Sequence, residues 1–170
     1  VTGDRDLFQL VDDQRQVRVL YIARGVGKHE VVDNTWVQTK YGIPAAAYVD
    51  YATMRGDASD GLPGISGIGD KTAAALLNSY GDLEGILAAA SGPKPKISGA
   101  VSAKLSAAID YLAVAPTVVA VVRDLDLGIS FDDLRCPSAP AKPELFAELT
   151  ELLGLGTSAE RILASLSDDP

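Results

Sequence analysis

The segment 56–69 constrains the fold of this chain more than any other, because it places five glycines and a proline between two helical patterns. Glycine reaches backbone conformations that other residues avoid, and proline interrupts helices and sheets alike. A segment of this composition predicts successive tight turns rather than a helix or a strand. The chain therefore passes from one helix to the next through an irregular loop, and such loops often carry binding and catalytic residues.

Before residue 33 the sequence is typical of short strands. Val1-Thr2 has the character of a buried strand end, and the run 17–22 followed by 30–32 predicts a β-hairpin. A short helix over residues 7–11 is predicted in this part, with Asp6 as its N-cap.

After residue 33 the pattern of apolar residues becomes helical. Helices are predicted from a cap at Asn34 or Thr35 to about Tyr41, from Pro44 to about Gly56, and over 70–79, 83–89, 100–112, 143–153 and 159–166, with a loop over 91–99. Together the two parts predict an α/β, mostly helical chain.

The net charge of −8 is unusual for a protein that binds DNA, because affinity for phosphate depends on Lys and Arg. The negative charge is concentrated in residues 124–170, which hold ten acids and three bases. Residues 1–123 hold thirteen acids and twelve bases, and between residues 85 and 108 Lys94, Lys96 and Lys104 occur without any acid. The charge therefore permits nucleic-acid binding without arguing for it.

Several classes of protein are excluded by simple features. No apolar run is long enough to span a bilayer, and residues 1–6 do not have the pattern of a signal peptide. Cys136 is the only cysteine, so an internal disulfide is impossible and a cytoplasmic location is expected. Hydrolysis of the serine or cysteine type has no support, because the only histidine, His29, lies in a polar, hairpin-like stretch.

Asp4 and Asp6 form the first candidate site. Two carboxylates placed two residues apart at the end of a strand can converge on one hard cation. The alternative is a solvated acidic loop in which Asp6 only caps a helix.

Asp57 and Asp60 form the second candidate site. Glycines on both sides allow the backbone to turn tightly, so the two side chains could point into one pocket. A calcium-binding loop is excluded, because the sixth position counted from Asp57 is Leu62 rather than Gly and the twelfth is Ile68 rather than Glu. The alternative is that both aspartates only form the turn.

Gly67-Ile68-Gly69 forms the third candidate site, followed by a helix that begins near Asp70. Such a turn can bring backbone N–H groups close to a phosphate, at the positive end of the helix. Lys71 would add a positive charge beside a phosphate oxygen. The alternative is a glycine-rich connection between two helices without a ligand.

The order and spacing of these motifs resembles the bacterial 5′–3′ exonuclease, a 5′ nuclease of the flap endonuclease family that occurs alone and as the N-terminal domain of DNA polymerase I. The matching stretches are Thr2-Gly3-Asp4-Arg5-Asp6-Leu7-Phe8-Gln9-Leu10-Val11, Lys40-Tyr41-Gly42-Ile43-Pro44, Gly56-Asp57-Ala58-Ser59-Asp60-Gly61-Leu62-Pro63-Gly64, Gly67-Ile68-Gly69-Asp70-Lys71-Thr72-Ala73 and Tyr80-Gly81-Asp82-Leu83-Glu84. The resemblance is close over residues 1 to about 90 and looser beyond. It implies that residues 1–33 are the C-terminal part of a PIN-like nuclease core and that residues 34–170 form a helical helix–hairpin–helix (SAM-like) domain.

The resemblance also implies a set of site residues. Asp4, Asp6, Asp57 and Asp60 would be ligands of two divalent cations, Mg²⁺ or Mn²⁺. Duplex DNA would contact the turn and its surroundings, at Gly67, Ile68, Gly69, Lys71, Thr72 and Lys40. A K⁺ ion at this turn would be held by backbone carbonyls alone, because Gly64 offers no side-chain oxygen.

The function implied is that of a monomeric, metal-dependent 5′–3′ exonuclease or flap endonuclease acting in DNA replication and repair, near the bacterial nucleoid and without a membrane. Its partner would be branched or nicked duplex DNA with a 5′ flap. The family's N-terminal acidic motifs have no counterpart here, so the isolated chain is expected to be inactive or nearly so. The alternative is a non-catalytic module that binds duplex or branched DNA, and a helical protein-interaction domain is a third possibility.

Overall fold

The computed structural model describes residues 1–91, 95–97 and 99–167. The chain folds into two compact units, Val1–Arg123 and Asp124–Pro170. Residues on both sides of position 33 belong to the first unit, and the division into a nuclease core and a helical domain at this position stays a prediction. The mostly helical architecture that the sequence predicts is confirmed.

The β-hairpin predicted in the first part is confirmed, and it is short. Strand β1 (Val19–Tyr21) pairs antiparallel with β2 (Glu30–Val32), with Val19 opposite Val32. Thr2 adds a parallel bridge on the other side of Tyr21. The backbone at Thr2 therefore lies alongside β1.

The predicted helix 7–11 is a 3₁₀ helix, Asp6–Leu10, and the prediction that Asp6 caps it is wrong. Arg5 occupies the N-cap position without a side-chain hydrogen bond. The Asp6 N–H donates instead to Asp4 Oδ1 at 2.9 Å. The turn thus begins one residue earlier than predicted, because the Asp4 carboxylate accepts the first free N–H.

Helix α1 (Asn34–Tyr41) follows β2 and ends at Gly42, as predicted. Its cap is Asp33, whose side chain accepts a hydrogen bond from the Trp36 N–H at 2.8 Å, so the predicted cap at Asn34 or Thr35 is wrong. Asn34 is already helical, and its Oδ1 accepts from the Ala45 N–H at 2.9 Å. Its side chain therefore fixes the connection to the next helix.

A 3₁₀ turn (Val26–Lys28) lies between the two strands. The helices described in the first unit after α1 are a 3₁₀ turn (Ala45–Ala47), α2 (Tyr48–Arg55), another 3₁₀ turn (Ala58–Asp60), α3 (Asp70–Tyr80), α4 (Leu83–Ser91), α5 (Gly99–Ala107) and α6 (Ile109–Val119). The predicted loop 91–99 lies partly outside the described residues. The single helix predicted over 100–112 is wrong. The chain leaves helical geometry at Ala108, and α6 continues to Val119 with Pro116 inside it. Burial of Leu112, Ala115 and Val119 on one face offsets the hydrogen bond that Pro116 cannot donate.

The core of the first unit holds the acidic residues of the N-terminal segment close to α2. Phe8 is fully buried, and its ring packs edge-on against Tyr21, Trp36 and Tyr48 with centroids 5.0, 5.4 and 5.6 Å away. Edge-to-face packing of this kind adds to the area that the rings bury. Because Phe8 lies two residues after Asp6, this cluster fixes the position of the acidic segment.

The second unit contains a 3₁₀ turn (Phe131–Leu134), α7 (Pro143–Leu152) and α8 (Thr157–Ser167). Helices were predicted at both α7 and α8, and Pro143 begins α7 as proline often does. None of the helices described is long and apolar enough to cross a membrane.

Candidate metal centre and nucleic-acid interface

Asp4 and Asp6 lie on a segment that is fixed at both ends. The Thr2 N–H donates to Leu20 O, and the Thr2 carbonyl accepts from the Ile22 N–H, each at 2.9 Å. Beyond the acidic residues, the buried Gln9 side chain joins two backbone groups at the end of α6: its Nε2 donates to Val119 O at 3.1 Å, and its Oε1 accepts from the Val121 N–H at 3.0 Å. The backbone that carries both carboxylates is therefore held in place before and after them.

Asp57 and Asp60 lie in a tight loop, residues 57–64, which we call the acidic loop. Asp57 and Leu62 exchange two backbone hydrogen bonds of 2.9 Å, and the Ile65 N–H donates to Met54 O at 2.8 Å. Gly56 and Gly64, both with positive φ, let the two ends of the loop meet. A Cβ on Gly56 would lie 2.6 Å from the Gly64 nitrogen, so the close approach requires glycine here.

These two segments bring the four predicted carboxylates into one region. Burial raises the pKa of Asp6, and the negative charges of Asp4, Asp60 and Asp57 raise it further. Carboxylates that repel one another in this way are what a divalent cation would stabilise, and their oxygen donors suit Mg²⁺ or Mn²⁺. Within the described ranges, however, no three acidic side chains have the spacing needed to hold one ion. The role of the four residues as metal ligands stays a prediction.

Arg5 and Arg55 also belong to this region, although the sequence patterns did not single them out. Asp57 Oδ2 lies 3.7 Å from an Arg5 nitrogen and 3.3 Å from an Arg55 nitrogen. The Ser59 hydroxyl donates to the other carboxylate oxygen of Asp57. The hydrogen bond from Ser59, supported by both arginines, lowers the pKa of Asp57. The only signal in the sequence was the position of each arginine within two residues of an aspartate.

An open pocket of about 680 Å³ lies at these groups, lined by both arginines, Asp57 and other residues of 56–63. Its walls therefore carry charges of both signs. Such a pocket can accept an anion beside the guanidinium groups and a cation beside the Asp57 carboxylate.

The predicted turn lies directly after the acidic loop, at residues 65–69, and we call it the hairpin turn. Ile65 and Ile68 are both 3% exposed and anchor it to the core. The Ile68 N–H donates to Ile65 O at 2.9 Å, and Gly67 has a φ of 73°. Gly69 is the N-cap of α3, and it has no side chain that could accept a hydrogen bond from the first N–H groups of the helix. The turn therefore presents exposed backbone at the positive end of a helix.

Lys104 of α5 contacts this turn and was not among the predicted site residues. Its Nζ donates to Gly67 O at 2.8 Å, and a Cβ on Gly67 would lie 2.7 Å from that nitrogen. The signal available in the sequence was the acid-free stretch that contains three lysines. Of the other two, Lys96 is exposed and Lys94 lies outside the described residues.

The remaining predicted DNA contacts lie at different distances from the turn. Lys71 is exposed in the first turn of α3, and the Thr72 N–H donates to Gly69 O at 3.0 Å. Lys40 lies near the end of α1, where its Nζ is 5.7 Å from the Trp36 ring centroid. That end of α1 packs beside the second half of α3, since Asn78 Nδ2 donates to Gly42 O at 2.7 Å. Lys40 is therefore not part of the turn itself.

Comparison with known proteins agrees with the fold and with the motifs. A family model described as "5'-3' exonuclease, C-terminal SAM fold" matches residues 43–142. A protein of Streptomyces coelicolor named 5'-3' exonuclease is 48% identical over 98% of this chain and 55% of its own length. A protein of the same name from Mycobacterium tuberculosis is 43% identical over 100% of this chain and 55% of its own length. DNA polymerase I of Deinococcus radiodurans is 38% identical over 89% of this chain and 15% of its own length. The chain thus spans about half the length of the first two relatives.

Proposed function

The chain belongs to the 5′-3′ exonuclease family, and we propose that it supplies one side of the metal centre and the DNA-gripping turn of a structure-specific 5′ nuclease. The full-length protein would hydrolyse a phosphodiester bond of branched or nicked duplex DNA that carries a 5′ flap, in replication or repair. The observation that supports this most strongly is the continuity of the acidic loop and the hairpin turn. The Ile65 N–H donates to Met54 O at 2.8 Å, which joins the end of the acidic loop to α2, and Ile65 is also the first residue of the hairpin turn.

Asp4, Asp6, Asp57 and Asp60 would hold two divalent cations, Mg²⁺ or Mn²⁺. When bound, such ions activate a water molecule and stabilise the leaving oxygen. The chain's own contribution is to fix the carboxylates: the Thr2 bridge and Phe8 hold the first pair, and the Gly56–Gly64 contact holds the second. Precise placement of this kind is what lowers the barrier of a reaction between held groups.

The hairpin turn would grip the duplex through its backbone rather than read its sequence. The N–H groups at the start of α3, together with Lys71, Thr72 and Lys104, would contact phosphate oxygens. Lys40 would contact the DNA backbone at a position further along α3. A K⁺ ion bound by carbonyls of the turn would reduce repulsion between the turn and a phosphate. We expect a monomer to bind one branched substrate.

The second candidate function is duplex binding without cleavage by this part of the protein. It is favoured by the contacts of Asp57, because two guanidinium groups and the Ser59 hydroxyl already surround that carboxylate. The hairpin turn, by contrast, keeps Ser66, Gly67 and Gly69 exposed.

The test is the Asp60→Asn variant of the full-length protein, assayed on a fluorescent 5′-flap duplex in Mg²⁺. Loss of one ligand charge is expected to lower kcat by about a hundredfold or more, while Kd for the same DNA in Ca²⁺ changes less than about threefold. Asp110→Asn, an exposed site on α6, serves as the matched control and is expected to change neither value. Unchanged turnover in Asp60→Asn would remove this residue from the metal centre. Specific binding without any cleavage by the wild type would favour the second candidate.

A further inference from the structure

Arg55, the last residue of α2, fixes the start of the acidic loop. Its Nε donates to Gly56 O at 3.1 Å, and a terminal nitrogen donates to Asp57 Oδ2 at 3.3 Å. The Arg55 side chain is 20% exposed and that of Asp57 is 16% exposed. Because both partners are largely shielded from water, their attraction is screened less than that of an ordinary surface pair.

The same guanidinium group also faces the helix that follows the hairpin turn. Its Nε lies 4.0 Å from Asp70 Oδ1, and Asp70 is the first residue of α3. The Tyr51 hydroxyl donates to the same Asp70 oxygen at 2.7 Å. The guanidinium carbon of Arg55 lies 5.8 Å from the Tyr51 ring centroid. Arg55 is therefore held between an aspartate of the acidic loop and an aspartate next to the hairpin turn.

We propose that Arg55 is a positioning residue that links the acidic loop to the hairpin turn, so that duplex held at α3 lies at a fixed offset from the carboxylates. Its effect on cleavage rests on the proposed function, whereas the link itself is a property of the folded chain. One guanidinium group between Asp57 and Asp70 offsets negative charge on both, more strongly at Asp57, because the Asp70 side chain is 69% exposed and lies 4.0 Å away. Asp70 also lies beside Lys71, where its charge would oppose an incoming phosphate unless Arg55 neutralises it.

An arginine suits this role better than a lysine does. A guanidinium group presents several N–H donors in a fixed plane, so it can contact the Gly56 carbonyl and two carboxylates together. A lysine has one charged nitrogen, so it could pair closely with only one of the two aspartates. Arg55→Lys is therefore expected to keep the positive charge and lose the link.

The link is tested first without DNA, by amide hydrogen exchange of the full-length protein. The reporters are the Thr72 and Ala73 N–H groups, which both bond to Gly69 O at 3.0 Å. Arg55→Met is expected to speed their exchange about threefold, from the loss of two ion pairs. Asp57→Asn is expected to speed the exchange of the same two N–H groups in the wild-type background but not in the Arg55→Met background. Arg15→Met removes an exposed pair with Asp12 and is expected to leave both reporters unchanged. Unchanged exchange in Arg55→Met, or additive effects of the two substitutions, would overturn the proposal.

The consequence for catalysis is tested on the flap substrate with the same variants. Arg55→Met and Arg55→Lys are both expected to lower kcat about tenfold, because the scissile bond is held less accurately. Kd for DNA is expected to rise no more than about threefold, and less in Arg55→Lys, which keeps the charge. If Arg55 only stabilised α2, the melting temperature would fall and kcat at low temperature would equal that of the wild type, which would refute the positioning role. If the wild type itself did not cleave, the proposed function would fail, and the exchange result would still decide the link.

Discussion

The contact between Gly56 and Gly64 predicts that alanine at position 56 damages the protein more than alanine at another glycine of the same loop. Gly56 has a φ of 81° and a ψ of 166°, a region that is nearly restricted to glycine. Its new Cβ would also lie 2.6 Å from both the Gly64 nitrogen and the Leu62 oxygen. These are backbone atoms, so no side-chain rotation can relieve the overlap.

Gly61 provides the matched control, because it shares the positive φ but not the crowding. Its φ is 72° and its ψ is 16°, and a Cβ there would meet no atom within 4 Å. Left-handed backbone alone costs an alanine about 1 kcal/mol. Gly56→Ala adds an overlap of the kind that costs about 1–3 kcal/mol in a packed core. The expected loss in the free energy of unfolding is thus about 1 kcal/mol for Gly61→Ala and about 3 kcal/mol for Gly56→Ala.

Thermal unfolding followed by Trp36 fluorescence measures this difference, because Trp36 packs in the aromatic core of the first unit. For a protein of this size, each 1 kcal/mol lowers Tm by about 2–4 °C. Gly61→Ala is expected to lower Tm by about 3 °C and Gly56→Ala by about 10 °C. Equal shifts for the two variants would refute the reasoning, since Gly56 differs from Gly61 both in its overlap with backbone atoms and in its more restricted φ and ψ.

Two further predictions concern Lys104 and Asp50. Lys104→Met removes the hydrogen bond to Gly67 O. It is expected to weaken DNA binding and to reduce the slope of log Kd against log salt by about 1, whereas the control Lys28→Met is expected to leave the slope unchanged. A slope equal to that of the wild type in Lys104→Met would exclude a phosphate contact. Burial raises the pKa of Asp50, so the folded state takes up a proton more readily than the unfolded state does and the wild type gains relative stability as pH falls. Asp50→Asn can still accept the hydrogen bond from the Leu83 N–H. Its free energy of unfolding, measured by denaturant titration, is expected to exceed that of the wild type at pH 7, and this difference is expected to shrink towards acid pH. A stability difference that does not change with pH would contradict this.

The sequence predicted element types well where a single local signal decides them. The alternating run before residue 33 became the β1–β2 hairpin, and Gly42 ended α1 with a φ of 72°. The cap of α1 was misplaced by one or two residues, because Asp33, Asn34 and Thr35 are all good capping residues. In the folded chain Asp33 accepts from the Trp36 N–H, while Asn34 accepts from the distant Ala45 N–H, a contact that local sequence does not predict.

The break between α5 and α6 could not be predicted from local propensity. The alanine-rich stretch favours one helix, and Pro116 suggests that helix should stop before it. The structure does the reverse, because burial of Leu112, Ala115 and Val119 against the core extends α6 past the proline. Tertiary packing overrode two local signals.

The sequence motifs indicated the four aspartates, Lys71 and Lys40 as candidate site residues, but they did not indicate Arg5, Arg55 or Lys104. The spacing of four aspartates and the glycines of the hairpin turn carried the resemblance to the family. Arg5 and Lys104, by contrast, contact groups that are far away in sequence, at Asp57 and Gly67. Such pairs exist only after the chain has folded, so no local pattern predicts them.

The central claim is that the four aspartates hold the divalent cations of a nuclease whose hairpin turn grips the duplex. Anomalous diffraction from crystals of the full-length protein soaked in Mn²⁺ tests it most directly. We expect manganese peaks about 2.2 Å from carboxylate oxygens of Asp4, Asp6, Asp57 or Asp60, with each of these residues within reach of one ion directly or through water. Manganese bound elsewhere, in a crystal whose protein cleaves flap DNA in Mn²⁺, would contradict the account.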